Sequence, residues 1–194
     1  MHAFTTLLLA VPALVSLAGC DQQPDMELES FALEGRDVAA TYGRTLVAEL
    51  QAAMANGGPV AGIAVCHEAA PAIANAVGTD RGLDVGRTSL RVRNPANAPD
   101  QWERAVLTRF DKAVGAGRDA ASLEHVEMVE AGGRRAFRYL KAIPTAPLCL
   151  TCHGTDIDGE VLAVIEDYYP DDQARNFAVG DIRGAFTITK WLGD

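Results

Sequence analysis

The chain has 194 residues, of which 48% are hydrophobic and 22% are charged. This composition is that of an ordinary globular protein and supplies enough apolar residues for one substantial core. Lys and Arg number 17 against 26 for Asp and Glu, which gives a formal net charge of −9. Because no run of basic residues interrupts this excess, the sequence argues against a nucleic acid partner, which clustered Lys and Arg side chains would have to bind.

The N-terminal segment has the pattern of an export signal. The first nineteen residues contain no Asp, Glu, Lys or Arg, and they lead into Leu17, Ala18, Gly19 and Cys20. Such an ending is typical of lipoprotein signal peptides, in which the cysteine is acylated and becomes the mature N-terminus. We therefore predict a signal peptide over residues 1–19 and lipidation of Cys20. The alternatives are an uncleaved membrane anchor and an ordinary cleaved signal, and all three export the domain.

The residues after the predicted lipidation site indicate where the protein is held. Asp21 resembles the signal that keeps lipoproteins on the inner membrane of double-membraned bacteria. We therefore expect a periplasmic protein, anchored through its lipid to the outer face of the cytoplasmic membrane. Residues 20–35 are polar and acidic, which predicts a tether, and the folded domain is expected over residues 36–194.

The first part of this domain has the apolar spacing of helices. Residues 36–55 carry apolar side chains at helical intervals, and the pattern stops at residues 56–58 (NGG), as at a helix C-terminus. Pro59 begins a second helical piece that contains Cys66, and Pro71 begins a third. The sequence therefore predicts one long amphipathic helix followed by two shorter ones.

The elements predicted further along the chain are short. They are, in order, a strand over 88–93, a helix that begins with the capping-box pair Asp100 and Glu103, two strands over 124–130 and 134–142 joined by a hairpin at Gly132 and Gly133, a helix over 160–168 and a strand over 184–192. Helices followed by hairpin-connected strands, without strand-helix-strand alternation, predict an α+β fold. We expect an antiparallel sheet with the N-terminal helices packed on it.

Residues 149–153 (CLTCH) have the pattern by which c-type haem is attached to proteins. Two thiols three positions apart lie on one turn, so each can add to a vinyl group of the haem, and the adjacent histidine then binds the iron. We therefore predict one covalently bound haem c on Cys149 and Cys152, with His153 as the proximal iron ligand. Attachment of this kind takes place outside the cytoplasm, in agreement with the predicted export.

Two other interpretations of the motif and the identity of the sixth iron ligand stay open at this point. The motif thiols also suit a disulfide, or a zinc site completed by Cys66 or His67. Zinc sites usually have a second close pair of ligands, and the sequence contains no second Cys-x-x-Cys or His-x-x-His. For a haem, the candidates for the sixth ligand are Cys66, His67, His125, Met54 and Met128.

Two arginines lie close to the predicted site in sequence. Arg91 and Arg93 share one face of the strand predicted over 88–93, and guanidinium groups suit bidentate contacts with haem propionates. An ordinary solvated strand face explains them equally well. We therefore do not assign either arginine to the site.

Several motifs together resemble a known family, that of single-haem c-type proteins with a PAS-like fold, found alone or as the extracytoplasmic sensor regions of bacterial signalling proteins. The resemblance rests on Val65-Cys66 followed by 70–74 (APAIA), on 89–95 (SLRVRNP) with Ala98-Pro99, on 149–154 (CLTCHG), and on Tyr169-Pro170 leading to 180–185 (GDIRGA). These motifs span nearly the whole mature chain in the family's order. The resemblance implies a PAS-like fold and a haem iron held by Cys66 opposite His153.

Three functions follow from these expectations. The first is a redox- or gas-responsive haem module of low potential, since a thiolate ligand stabilises ferric iron. The second is a membrane-tethered electron carrier, and either would act with a separate redox or signalling protein. The third is an enzyme with peroxidase or nitrogen-oxide chemistry, which needs an open iron position that Cys66 would block. We therefore do not expect an enzyme.

Overall fold

The computed structural model describes residues 23–193, so the predicted signal peptide and Cys20 lie outside it. The described chain begins with a long helix, α1 (Gln23–Ala64). Phe31 of this helix is buried, and its ring stacks on that of Phe137 in the sheet with 5.3 Å between centroids. The prediction of a tether over this segment is therefore wrong for the part described, because apolar side chains within the acidic stretch pack on the sheet.

A bend divides α1 near its C-terminal end. Gly58 has φ 70° and ψ −172°, a backbone region essentially restricted to glycine. The interruption predicted at this point therefore exists, but it is a bend between two helical segments, and the helix continues from Pro59. It then passes into a π-helical turn (Val65–Ala69) and a second helix, α2 (Ala70–Thr79), which begins beside Pro71 as predicted.

The first strand lies earlier than predicted. β1 spans Asp84–Thr88, so of the strand predicted over 88–93 only Thr88 is in a strand, and residues 89–93 do not continue it. After β1 the chain turns away from the sheet, because the Ser89 amide donates to the Asn97 carbonyl at 3.3 Å and the Ser89 hydroxyl donates to the Arg183 carbonyl at 2.8 Å. The alternating pattern in this stretch therefore belongs to a hydrogen-bonded loop.

The next helix, α3 (Gln101–Gly115), begins as predicted. The Asp100 carboxylate accepts from the Glu103 amide at 2.8 Å, and the Glu103 carboxylate accepts from the Asp100 amide at 3.0 Å. This reciprocal capping box satisfies two amides that the first turn of a helix leaves without partners. The helix buries Leu107 and Phe110 against the sheet.

Three further strands complete the sheet. β2 (Glu124–Ala131) and β3 (Arg134–Pro144) form the predicted hairpin, in which Gly132 and Gly133 have φ of 60° and 77°. β4 (Ile182–Trp191) is the last strand. The strand order is β1-β4-β3-β2, and every neighbouring pair is antiparallel. The predicted α+β fold with an antiparallel sheet is therefore confirmed.

Helices cover both faces of the sheet. Phe137 and Tyr139 of β3 contribute to a core cluster with residues of α1, whereas Leu140 and Ala142 of the same strand contribute to a cluster with α3. This alternation follows from the two-residue period of a strand, which places successive side chains on opposite faces. The long α1 therefore lies on one face and α3 on the other.

The long connection between β3 and β4 carries the Cys-x-x-Cys-His motif. It contains a 3-10 turn (Pro147–Cys149), a short helix α4 (Leu150–His153) and a helix α5 (Gly159–Tyr168). Helix α5 packs against the segment of α1 beyond the bend, where Ile63 and Ile165 are both buried in one cluster. The motif is thereby held between the end of α1 and the sheet.

Candidate functional site

A cleft opens where the bent end of α1, strands β1 and β4, and the motif segment meet. It is partly open to solvent. Most of its wall is apolar, with contributions from Leu46, Leu50, Ile63, Ile143, Leu148 and Phe186. An apolar cleft with a few polar groups is the usual form of a cofactor site or small-molecule site.

The four residues of the predicted haem site line this cleft: Cys66, Cys149, Cys152 and His153. Cys149 ends the 3-10 turn and Cys152 lies in α4, so the two thiols are presented from one turn of chain. The three thiols are free and half-buried, and burial raises the pKa of Cys152. The motif thiols are therefore unpaired and available inside an apolar cleft.

The orientation of His153 is fixed by a backbone carbonyl. Its Nδ1 lies 2.7 Å from the carbonyl oxygen of Ala174, and because a carbonyl only accepts, Nδ1 carries the proton. Burial lowers the pKa of His153 well below its ordinary value, so the ring is neutral. The other nitrogen, Nε2, then has a free lone pair, which is the form of imidazole that binds metals.

A loop after α5 holds the motif helix in place through its backbone. The Phe177 amide donates to the His153 carbonyl at 3.0 Å, and the Asn176 amide donates to the Gly154 carbonyl, also at 3.0 Å. Asn176 has φ 61°, a left-handed conformation that asparagine tolerates better than most residues. The Phe177 ring also meets the His153 ring edge-on at 6.1 Å, so the loop fixes both the backbone and the ring of the histidine.

Arg93 fastens the same loop to the motif. Its guanidinium donates to the Cys152 carbonyl at 2.6 Å and the Ala174 carbonyl at 3.2 Å, and it pairs with Asp172 at 2.9 Å. The Asp172 side chain is fully buried and that of Arg93 is 9% exposed. The polar contacts that Arg93 makes within the described chain therefore hold the scaffold of the site.

Arg91 has a related role. It donates to the Arg175 and Asn176 carbonyls at 2.9 and 3.1 Å, and its guanidinium lies 3.4 Å from the centre of the Phe177 ring. The sequence offered a propionate contact or a solvated strand face for Arg91 and Arg93. The strand predicted for them is wrong, because the two arginines lie in a loop and bind the segment that positions the histidine.

Two of the five candidates for the sixth iron ligand line the cleft. Cys66 reaches it from the π-helical turn and Met54 from α1. His67 instead shares a 3.1 Å hydrogen bond with the Tyr169 hydroxyl, and its ring packs 4.8 Å from that of Tyr168. Of these two neighbours, Cys66 lines the cleft and His67 contacts the tyrosines of α5 and its C-terminal end.

The other two candidates lie elsewhere, on strand β2. The His125 ring packs 5.9 Å from the ring of Trp102, and its Nε2 contacts the carboxylate of Glu127 at 3.1 Å. Met128 packs against the core cluster under α1. In the part of the chain that the structure describes, no group of three or more His, Cys, Asp or Glu side chains is placed to hold a metal ion.

The sequence did not indicate two of the charged residues in the cleft. Arg87 of β1 and Arg183 of β4 both line the cleft, and burial with neighbouring guanidinium groups lowers the pKa of Arg183 to about 10. The only signal was that Arg183 falls within residues 180–185 of the family resemblance. Arg87 precedes the stretch predicted as a strand, and the misplaced strand concealed its position beside β4.

Comparison with known proteins places the chain in a family. A family model described as Tll0287-like matches residues 22–190. The crystal structure of the cyanobacterial heme-protein Tll0287 has a similar fold, with a TM-score of 0.62 and 21% sequence identity over 87% of this chain and 97% of that one. No curated protein matches. Because the family model covers most of the chain, this protein belongs to the Tll0287-like family.

Proposed function

We propose that this protein binds one haem c, through thioether bonds from Cys149 and Cys152 and an iron bond from His153. The observation that carries the proposal is the hydrogen bond from His153 Nδ1 to Ala174, which leaves Nε2 unprotonated beside two free thiols. The related crystal structure is that of a heme-protein, which supports the same cofactor here.

The residues of the cleft fit a haem in three respects. The walls are mostly apolar, as the faces of a porphyrin require, and the two thiols have the sequence spacing of the motif that binds its vinyl groups. The histidine is neutral, and the hydrogen bond of its Nδ1 fixes the orientation of the ring. Three guanidinium groups, on Arg87, Arg93 and Arg183, line a cleft in which the described lining residues include no Asp or Glu. The donor set, the polarity and the charge all suit this cofactor.

We propose Cys66 as the second iron ligand. It lies in a π-helical turn, an irregularity that occurs often at functional sites, and it lines the same cleft as His153. Its neighbour His67 is held by Tyr169, and Met54 lies on the longer, regular part of α1. When bound, a haem with imidazole and thiolate ligands supplies one-electron chemistry at low potential.

We favour a responsive haem module over an electron carrier. Cys66 lies two residues after the end of α1, and this helix runs from the N-terminal end of the described chain to the cleft. A change in the bond to Cys66 therefore acts on the element that leads toward the proposed membrane anchor. The carrier is supported by the 36% exposure of Leu148, which borders the motif and leaves one side of the cleft near solvent. In neither case do we propose catalysis.

Spectra of the holoprotein test ligation and role together. We expect the ferric spectrum of Cys66→Ala to differ from wild type, and we expect carbon monoxide to change the ferrous spectrum of the wild type. Identical ferric spectra would end the proposal for Cys66. A ferrous spectrum that carbon monoxide leaves unchanged, together with rapid electron exchange, would favour the carrier.

We also propose that the mature protein is a lipoprotein of the inner membrane, held by acylated Cys20 and acting with a separate redox or signalling protein. Its support is the sequence pattern around Cys20, directly before the segment that the family model matches from residue 22. Labelling with a radioactive fatty acid should mark the wild type in the inner-membrane fraction and not Cys20→Ala. Equal labelling of both would contradict the anchor.

A further inference from the structure

We propose that Arg87 and Arg183 form a carboxylate-binding site in the cleft, and that the carboxylates they bind are the propionates of the haem. This inference rests on the proposed function, and it assigns a role to two residues that the covalent motif does not involve. Both are brought to the cleft by the sheet: Arg87 of β1 pairs in register with Phe186 of β4, three residues from Arg183.

Arg183 has hydrogen-bonding capacity that the described protein does not satisfy. Its Nη1 donates to the Ser89 hydroxyl at 3.2 Å, but its Nε is fully buried and has no partner. A buried donor without an acceptor costs about 1–3 kcal/mol, and more when the group is charged. The Nη2 of Arg183 makes no hydrogen bond among the described residues and is not sealed off, so the guanidinium can donate to an acceptor that enters the cleft.

Arg87 also lacks strong polar partners among the described residues. Its Nη2 makes one long hydrogen bond of 3.5 Å, to the Cys66 carbonyl, and no ion pair is formed by it or by Arg183 among the described residues. Arg93, the third guanidinium in the cleft, is different because buried Asp172 neutralises it at 2.9 Å. The cleft therefore holds two positive charges for which the described chain supplies no carboxylate.

The charge of the site matches the charge of the cofactor. A haem carries two propionates, and a guanidinium binds a carboxylate through two parallel hydrogen bonds. Two buried guanidinium groups repel each other, which is unfavourable. Carboxylates on the bound group attract both of them and offset that repulsion. Since the arginines share the cleft with the proposed attachment residues, the attached cofactor itself can supply the anions.

Resonance Raman spectroscopy of the ferric holoprotein tests the assignment. Its propionate bending bands respond to hydrogen bonds on the carboxylates. We expect these bands to shift in Arg183→Gln and Arg87→Gln, and to shift partly in Arg183→Lys, which keeps the charge without the two-pronged contact. Arg104→Gln, at an exposed position on α3, is the matched control and should leave them unchanged.

A pH titration gives a second measurement on the same proteins. In the wild type, the two arginines should hold the pKa of the haem carboxylates low, so these pKa values should rise in both glutamine variants. Haem-loaded Arg87→Gln and Arg183→Gln proteins with wild-type Raman bands and titrations would overturn the inference while leaving the proposed function intact. A polypeptide without covalent haem would instead end both.

Added formate separates the two sources of a carboxylate. If the propionates fill the site, formate should leave the wild-type Raman bands and absorption spectrum unchanged. A formate-dependent change in the wild type that disappears in Arg183→Gln would show that the arginines take up a free anion, and it would overturn the assignment to the haem.

Discussion

At the scale of single residues, Cys66 and His67 are neighbours in sequence that the structure treats differently. Cys66 lines the cleft, whereas His67 is bound to Tyr169. We therefore expect His67→Ala to leave the ferric absorption spectrum of the holoprotein unchanged while Cys66→Ala alters it. If His67→Ala changed the spectrum and Cys66→Ala did not, bis-histidine ligation would replace our proposal.

The buried pair of Arg93 and Asp172 sets the stability of the loop that orients His153. Asp172→Asn leaves the guanidinium without its counter-charge, and removal of one partner from a buried pair costs about 3–5 kcal/mol. We expect a loss toward the lower end of this range in urea denaturation at pH 7, because asparagine keeps one acceptor. Asp171→Asn, at the exposed neighbouring position, is the control and should change the free energy of unfolding by less than about 0.5 kcal/mol.

The same pair makes stability depend on pH. Burial raises the pKa of Asp172, but hydrogen bonds from Arg93, Arg175 and the Ala174 amide outweigh it, so the pKa in the folded state is lowered. The resulting stabilisation is complete above the unfolded pKa of about 4 and is lost as the pH falls through the folded value. The free energy of unfolding should therefore fall less steeply with acidification in Asp172→Asn than in wild type. Equal slopes below about pH 5 would contradict this assignment.

At the scale of elements, the bend in α1 depends on one glycine. Gly58→Ala forces an L-residue into φ 70° and ψ −172°, which costs about 1–3 kcal/mol. We expect the melting temperature to fall in proportion, and Cys66, which follows the bent segment, to shift enough to alter the ferric spectrum. Gly115→Ala is the control, because its added methyl group meets no atom within 4 Å. Equal melting temperatures for the two variants would count against a constrained bend.

Local sequence signals predicted most helices and strands correctly. They failed where contacts between residues far apart in sequence determine the backbone conformation. The Asp100 and Glu103 pair and the two glycines of the hairpin act within a few residues, so sequence reasoning identified them. The strand predicted over 88–93 failed because the Ser89 amide bonds to Asn97 and its hydroxyl to Arg183, which lies on the neighbouring strand β4 and far along the chain. No periodicity within a short window reports such a contact.

At the scale of the whole molecule, the N-terminal part of α1 belongs to the core. Phe31 is 3% exposed and stacks on Phe137, whereas Leu33 on the same helix is 58% exposed. We expect Phe31→Ala to lower the free energy of unfolding by about 3 kcal/mol and Leu33→Ala by less than about 0.5 kcal/mol, measured by urea denaturation. Similar effects of the two substitutions would mean that this segment is the flexible tether that its acidity indicates.

The candidate site was predictable to the extent that it is encoded in contiguous motifs. Cys149, Cys152 and His153 follow from a single short run, and Cys66 from the family resemblance. The carbonyl that orients His153 could not be foreseen, because Ala174 has no distinguishing side chain. Arg183 and its unsatisfied Nε become visible only when β4 is placed beside β1.

The central claim is that a haem is covalently attached at the motif, and mass spectrometry of a proteolytic peptide tests it directly. The protein should be matured in cells with a working cytochrome c assembly pathway, and the peptide that contains residues 149–153 should be isolated. We predict that this peptide carries the added mass of one haem and that Cys149 and Cys152 resist alkylation. A peptide of unmodified mass whose two thiols alkylate freely would contradict the account.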